Sequence, residues 1–313
     1  MEQDFDYDGL KAALAAAADQ GIYPGTSSWK YPGWLGTVYQ EQNYLWRGKL
    51  SEARFEKHCL AEYARLFFSV CVDATYYRFP GADPLQALAS QVMPGFRFSF
   101  KVTADLTVKH FPVLPRYGHK GGTLNRHFLD ADLFQSAFLA PCQAIRDFMG
   151  MVIFQFPVFH AGDFAKGRDF VAALDGFLAL LPAGWDYGVE LRNPAWLHPD
   201  YFAMLSSHGV THVFNSWAGM PPVPEQWALP GSITNPGCVA ARLLLKPGRQ
   251  YEEAVETFQP YDRVQDPQPE IRETAAAMVR RGRQARGRTY LYVNNRLEGN
   301  APRTIAAVMA MAG

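Results

Sequence analysis

Glu190 and Arg192 stand two residues apart in a chain of 313 residues, a spacing that puts both side chains on one face of an extended segment. A carboxylate held ionised and oriented beside a guanidinium has the chemistry of a general base or a carboxylate nucleophile, and equally that of the anionic half of a buried ion network. Lys101 closes an earlier apolar segment. Its amine either neutralises a developing oxyanion, forms a Schiff base once desolvated, or simply pairs with Glu190. Arg242 joins Arg192 in offering a planar fork suited to phosphate or carboxylate, with a salt-bridge strut as the alternative. Asp73 offers a second carboxylate for acid and base work. Thr75, Gln155, Asn215, Asn294 and Asn295 lie at the ends of other short apolar segments; each reads either as a ligand contact or as a satisfied core polar group.

Aromatic residues crowd the segment after the first apolar run, at Trp29, Tyr31, Trp34, Tyr39 and Trp46. Trp29, directly at the segment end, is the ring placed to stack on a sugar face or a nucleobase, and the others read as packing. Tyr76, Tyr77 and Phe79 extend the same wall from the second segment. Gly299 and Asn300 precede Ala301 and Pro302, a helix start whose first N–H groups would face an anion or an ordinary cap. None of the 8 histidines closes an apolar segment, so a multinuclear zinc site is not expected; Mg2+ or Mn2+ held by Asp73 or Glu190 stays open, and no other cofactor is implied.

Something must bring these scattered groups together. Short apolar runs at 22–27, 68–75, 96–102, 151–156, 187–192, 211–215, 239–245 and 289–294 are each bounded by turn residues, and most are apolar at consecutive positions, as strands of a parallel sheet covered on both faces are. Helical patterns lie between them: residues 50–67, the Asp83-Pro84 start ahead of Leu85, Leu88 and Val92, a helix through Leu133, Ala137 and Phe138 that Pro141 should kink, then 169–181 and 269–283. Strand and helix alternating eight times predict an α/β fold of (β/α)8 TIM type, whose C-terminal strand ends converge on one mouth. Residues 1–20 read as an N-terminal extension with a helix, and 21–313 as a single barrel domain. Pro24 inside the first strand and the proline-rich stretch 219–237 resist the pattern, and an irregular crossover is expected between strands six and seven. The insertion 103–130, with His110, His119 and His127, should overhang the mouth.

Composition narrows the partners. Lys plus Arg and Asp plus Glu both number 30, so no global field gathers a polyanion, and nucleic acid would need a local patch. The basic run Arg280, Arg281, Arg283, Arg286 and Arg288 precedes a strand, which places it at the far end of the barrel as a solvated helix face. Cys59, Cys71, Cys142 and Cys238 form no CxxC pair and read as reduced core thiols. The acidic start Glu2, Asp4, Asp6 and Asp8 followed by an alanine-rich run does not resemble a signal peptide, and no apolar run suits a membrane span. A cytoplasmic protein is expected, with no membrane partner and an oligomeric state the sequence leaves open.

The segments GTSSWKYPGW at 25–34, DATYYRFP at 73–80, FRFSFKV at 96–102, QFP at 155–157, VELRNPAW at 189–196 and YVNNRLEGNAP at 292–302 resemble, in order, the motifs of the DUF72 (YecE-like) family. The resemblance implies a TIM-type barrel of uncharacterised function. It implies recurrent polar positions at Trp29, Thr75, Tyr77, Lys101, Gln155, Glu190, Arg192, Arg242, Asn294 and Asn295. The second strand departs from the family pattern of Glu then Asn, with Cys71 and Asp73 in their place, and Leu244 and Leu245 follow Arg242 where the family often has a His-Gly pair.

Together these readings predict an enzyme with a polar pocket at the strand ends, acting on a small phosphorylated sugar or nucleotide-like ligand by hydrolysis or isomerisation. Glu190 would handle protons, with Lys101 and Asp73 as the other catalytic candidates, while Lys101, Arg192 and Arg242 hold anionic groups and Trp29 stacks. A metal-assisted phosphodiesterase or nuclease, or a non-catalytic ligand-binding protein, stands as the alternative.

Overall fold

A computed structural model describes residues 5–313; Glu2 and Asp4 of the acidic start lie outside them. Eight parallel strands close into a barrel in chain order: β1 (Ile22–Thr26), β2 (Ser69–Val72), β3 (Arg97–Lys101), β4 (Met149–Gln155), β5 (Asp186–Glu190), β6 (Thr211–Asn215), β7 (Cys238–Leu243) and β8 (Arg288–Val293). The expected (β/α)8 architecture is the observed one, and every expected strand is present with no end displaced by more than three residues. Consecutive apolar runs form these strands because the outer face meets helices while the inner face fills the lumen.

Pro24 is tolerated for a local reason. Gly21 and Ser27 exchange backbone hydrogen bonds with the β8 side, so alternation turns residue 24 toward β2, which β1 meets at the single pair Thr26–Val70. The gap is bridged by side chains: Tyr63 Oη accepts from Thr26 N at 3.1 Å and donates to the Ser69 carbonyl at 2.8 Å.

The connections explain how the mouth is shaped. Helix Glu52–Tyr63 joins β1 to β2, and helix Ala82–Ala89 joins β2 to β3 with Pro84 in its first turn. Ahead of β4 the expected kink at Pro141 takes the form of a π-helical stretch, Phe134–Leu139, just before the residue that lacks an N–H. The β6-to-β7 crossover is irregular, as its prolines demand, and holds only the short helix Val223–Ala228. Helix Tyr7–Ala18 packs against β1 and the C-terminal helix Ala301–Ala312, with Leu10, Leu14 and Ala17 in the same apolar core.

The lumen is solid below its mouth. Tyr23, Cys71, Met151, Ile153, Val213, Ala240 and Tyr292 fill it, and Asp186, paired with Arg288 at 2.8 Å and bonded by Tyr290 Oη, closes the lower end. Part of the basic run at that end is structural: Arg280 donates to the Met311 carbonyl and Arg283 to those of Ala312 and Gly313. All four cysteines are buried and free. Among the described residues no helix is long and apolar enough to cross a membrane.

Candidate functional site at the barrel mouth

The uppermost inward side chains of five strands meet in one ionic network. Glu190, at the end of β5, is fully buried. Its Oε1 accepts from Arg192 Nε at 2.9 Å and Nη2 at 2.8 Å, and its Oε2 accepts from Arg242 Nη1. Arg242, at 2% exposure, also reaches Gln155 Oε1 at 3.3 Å and Asp73 Oδ1 at 3.4 Å. Lys101 Nζ lies 3.2 Å from Asp73 Oδ1, 3.4 Å from Gln155 Oε1 and 4.6 Å from the centre of the Tyr76 ring. Arg192 stacks on Trp217 with its guanidinium carbon 3.9 Å from the ring centre. Three cations thus face two carboxylates, Asp73 and Glu190, and the network keeps one uncompensated positive charge.

Local sequence sets this geometry. Strand alternation turns Gly188 and Glu190 inward, and glycine is needed at 188 because a Cβ there would come within 2.4 Å of Met151 Sδ. After β2 the turn Ala74–Tyr76 folds back over the strand end, and Thr75 Oγ1 donates to the Lys101 carbonyl at 2.7 Å, tying the exits of β2 and β3 together.

Charge pairing decides what each group can do. Burial drives the Glu190 carboxyl up, but Arg242 and Arg192 outweigh it and hold it down at about 2. Both oxygens of Glu190 are engaged by guanidinium groups and its side chain has no exposed surface. This pairing favours the second of the two readings the sequence offers, the anionic half of a buried ion network, over a base or nucleophile. Lys101 is lowered, chiefly by burial, with Asp73 opposing and Arg242 assisting. Asp73 differs from its partners, since its side chain is 37% exposed.

Asp73 also lines an open hollow of about 550 Å³ over the ends of β1 and β2. Trp29, Val72, Phe79, Leu85, Leu88 and Phe100 make its apolar wall, with Ser28, Lys30, Thr75 and Arg78 as polar members. Glu190, Arg192, Arg242, Lys101 and Gln155 do not line it. The residues expected to surround a shared space therefore split into a packed ionic floor and a hollow beside it, joined through Asp73.

Other expected contacts sit elsewhere. Tyr77 is 60% exposed and stands outside the hollow, edge-on to Tyr76. Asn215 is a satisfied core amide, donating to the Leu191 carbonyl at 3.1 Å while Gln226 clasps its backbone. Asn294 caps the short helix Asn295–Glu298 through Arg296 N at 3.0 Å. Asn295 Oδ1 accepts from Trp34 Nε1 at 3.2 Å and Ala301 N at 2.8 Å. The anion expected above Gly299 and Asn300 has no room. Asn300 Oδ1 takes Arg303 N at 2.9 Å, Asn295 takes Ala301 N, and the Arg263 carbonyl presses so closely on Gly299 that a Cβ would lie 2.5 Å from it. The chain itself fills that cradle. Lys30 and Arg78 went unnoticed in the sequence, although Lys30 directly follows the strand-end Trp29.

A family model described as "Protein of unknown function DUF72" matches residues 23–313. The chain belongs to the DUF72 family. This DUF72 barrel is 28% identical over 182 residues to "UPF0759 protein YecE" of Escherichia coli K12, an alignment covering 58% of the chain and 50% of that protein; the chain thus matches about half the length of its curated relative. Its fold is that of two solved DUF72 family proteins. The one from Enterococcus faecalis V583 superposes with a TM-score of 0.62 at 17% identity, over 93% of this chain and 95% of that one. The one from Thermotoga maritima MSB8 gives 0.58 at 20% identity, over 93% and 97%.

Proposed function

We propose that this DUF72 barrel is an enzyme that binds a small anionic molecule in the hollow over β1 and β2, with Asp73 as its proton-transferring group. One observation carries the reading: Asp73 is the network carboxylate that opens onto the hollow while touching Lys101 and Arg242. A carboxylate in that position takes a proton from a bound hydroxyl or from a carbon beside a carbonyl, and Lys101 behind it supplies positive charge for an oxyanion that develops. Glu190, Arg242 and Gln155 hold both in place as a rigid floor, the preorganisation such chemistry requires. Hydrolysis and isomerisation of a phosphorylated sugar or nucleotide-like compound both fit these roles.

The test is a panel of sugar phosphates and nucleotides, with and without Mg2+ or Mn2+, scored by thermal shift and turnover on the parent and on Asp73→Asn. Expected is a stabilising ligand whose turnover falls at least about 100-fold in the variant while binding persists. Turnover unchanged in Asp73→Asn would overturn the assignment. A response confined to oligonucleotides with added metal would replace it with metal-assisted phosphodiester chemistry.

A further inference from the structure

The cations first expected to hold an anion are already committed. Arg242 serves Glu190, Gln155 and Asp73; Arg192 serves Glu190 and lies on Trp217; Lys101 serves Asp73 and Gln155. An incoming phosphate at these groups would have to displace a buried carboxylate, at the cost of leaving that carboxylate unpaired. Lys30 and Arg78 are different. Both line the hollow, both are exposed, and among the described residues neither side chain has an acidic partner.

The hollow therefore has distinct parts. Asp73 accepts hydrogen bonds at one place, Lys30 and Arg78 carry unspent positive charge elsewhere on its wall, and the surface between is aromatic and aliphatic, with Trp29, Phe79 and Phe100 among its lining. Its volume of about 550 Å³ lies within the range that encloses small ligands. A bare sugar phosphate would leave the apolar wall wet, and an uncharged ring would leave the two cations unused. We infer that the hollow takes an aromatic-ringed monophosphate of nucleoside type, its phosphate on Lys30 and Arg78, its ring against Trp29 and Phe79, and its donor groups on Asp73. This rests on the reading of the hollow as the ligand site and adds the ligand class and the residues that hold its anion.

The experiment is a cycle of calorimetric titrations: AMP and adenosine, each against the parent and against Lys30→Ala/Arg78→Ala. Because both residues are exposed and unpaired, the double variant should keep the parent's melting temperature. Expected is AMP binding that weakens about tenfold or more in the double variant, with adenosine affinity unchanged, since only the charge-assisted contacts to phosphate are lost. Raising salt should erode AMP binding to the parent and leave the double variant level. Equal AMP affinity in both proteins would overturn the inference, as would a failure of AMP, GMP and UMP all to bind the parent. The broader reading of the hollow survives either result if sugar phosphates bind there and Leu88→Trp abolishes them; it falls if Leu88→Trp changes nothing.

Discussion

Lys101 Nζ and Asp73 Oδ1 lie 3.2 Å apart on adjacent strand ends, one buried and the other open to the hollow. Burial and Arg242 both push the amine toward its neutral form, and Asp73 is the group that most opposes them. Asp73→Asn removes that opposition, so the Lys101 amine should titrate at a lower pH than in the parent. Amine acetylation at graded pH, mapped to Lys101 by mass spectrometry, measures it; an unmoved midpoint would show that the pair is not felt.

Glu190 should matter for stability before it matters for chemistry. Its folded pKa, about 2, lies below its ordinary value of 4.5, so its contribution is fully present above pH 4.5 and disappears as pH falls toward 2. That interval corresponds to about 3 kcal/mol. Glu190→Gln removes the anion between Arg192 and Arg242, leaving Arg242 only its longer ionic contact with Asp73, and should cost about 3–5 kcal/mol at neutral pH. Urea unfolding checks both: a lower midpoint at pH 7, and a flatter loss of stability between pH 4.5 and 2 than the parent shows.

What the sequence disclosed follows from which physics is local. Strand runs, the Asp83-Pro84 helix start and the polar strand ends are short-range patterns, and they placed β1 to β8 and brought Asp73, Lys101, Gln155, Glu190 and Arg242 to one rim. Partner choice is not local. Whether Glu190 was a base or a strut depended on Arg242, 52 residues away in the chain. Asn295 and Asn300 carry the same amide as any ligand contact, and only the docking of Trp34 and Tyr261 against them shows that the Asn295 oxygen and the Asn300 nitrogen are already engaged. The hollow is legible only once helix Ala82–Ala89 is set over the ends of β1 and β2.

Gly25 governs how closely β1 approaches β2. A Cβ there would fall 2.2 Å from the Ser69 carbonyl oxygen and 2.7 Å from Ser69 Oγ, with backbone that cannot step aside. Gly25→Ala should therefore destabilise by about 1–3 kcal/mol. It should also disturb the following residues Ser28 to Lys30 at the hollow. Gly162→Ala, where nothing lies within 4 Å, is the control expected to leave the melting temperature in place.

If the hollow beside Asp73 is where the ligand sits, filling it should silence the protein without unfolding it. Leu88 lines the hollow from helix Ala82–Ala89 and is only half-buried, so the larger ring of Leu88→Trp enters open space and forces no core side chain off its rotamer. Melting temperature should stay close to the parent's, while ligand affinity and turnover fall at least about tenfold. Tyr77→Ala provides the contrast, because Tyr77 is exposed and outside the hollow; its loss should change neither quantity. Were Tyr77→Ala to abolish binding and Leu88→Trp to spare it, the ligand would belong on the outer rim and Asp73 would lose its assigned role.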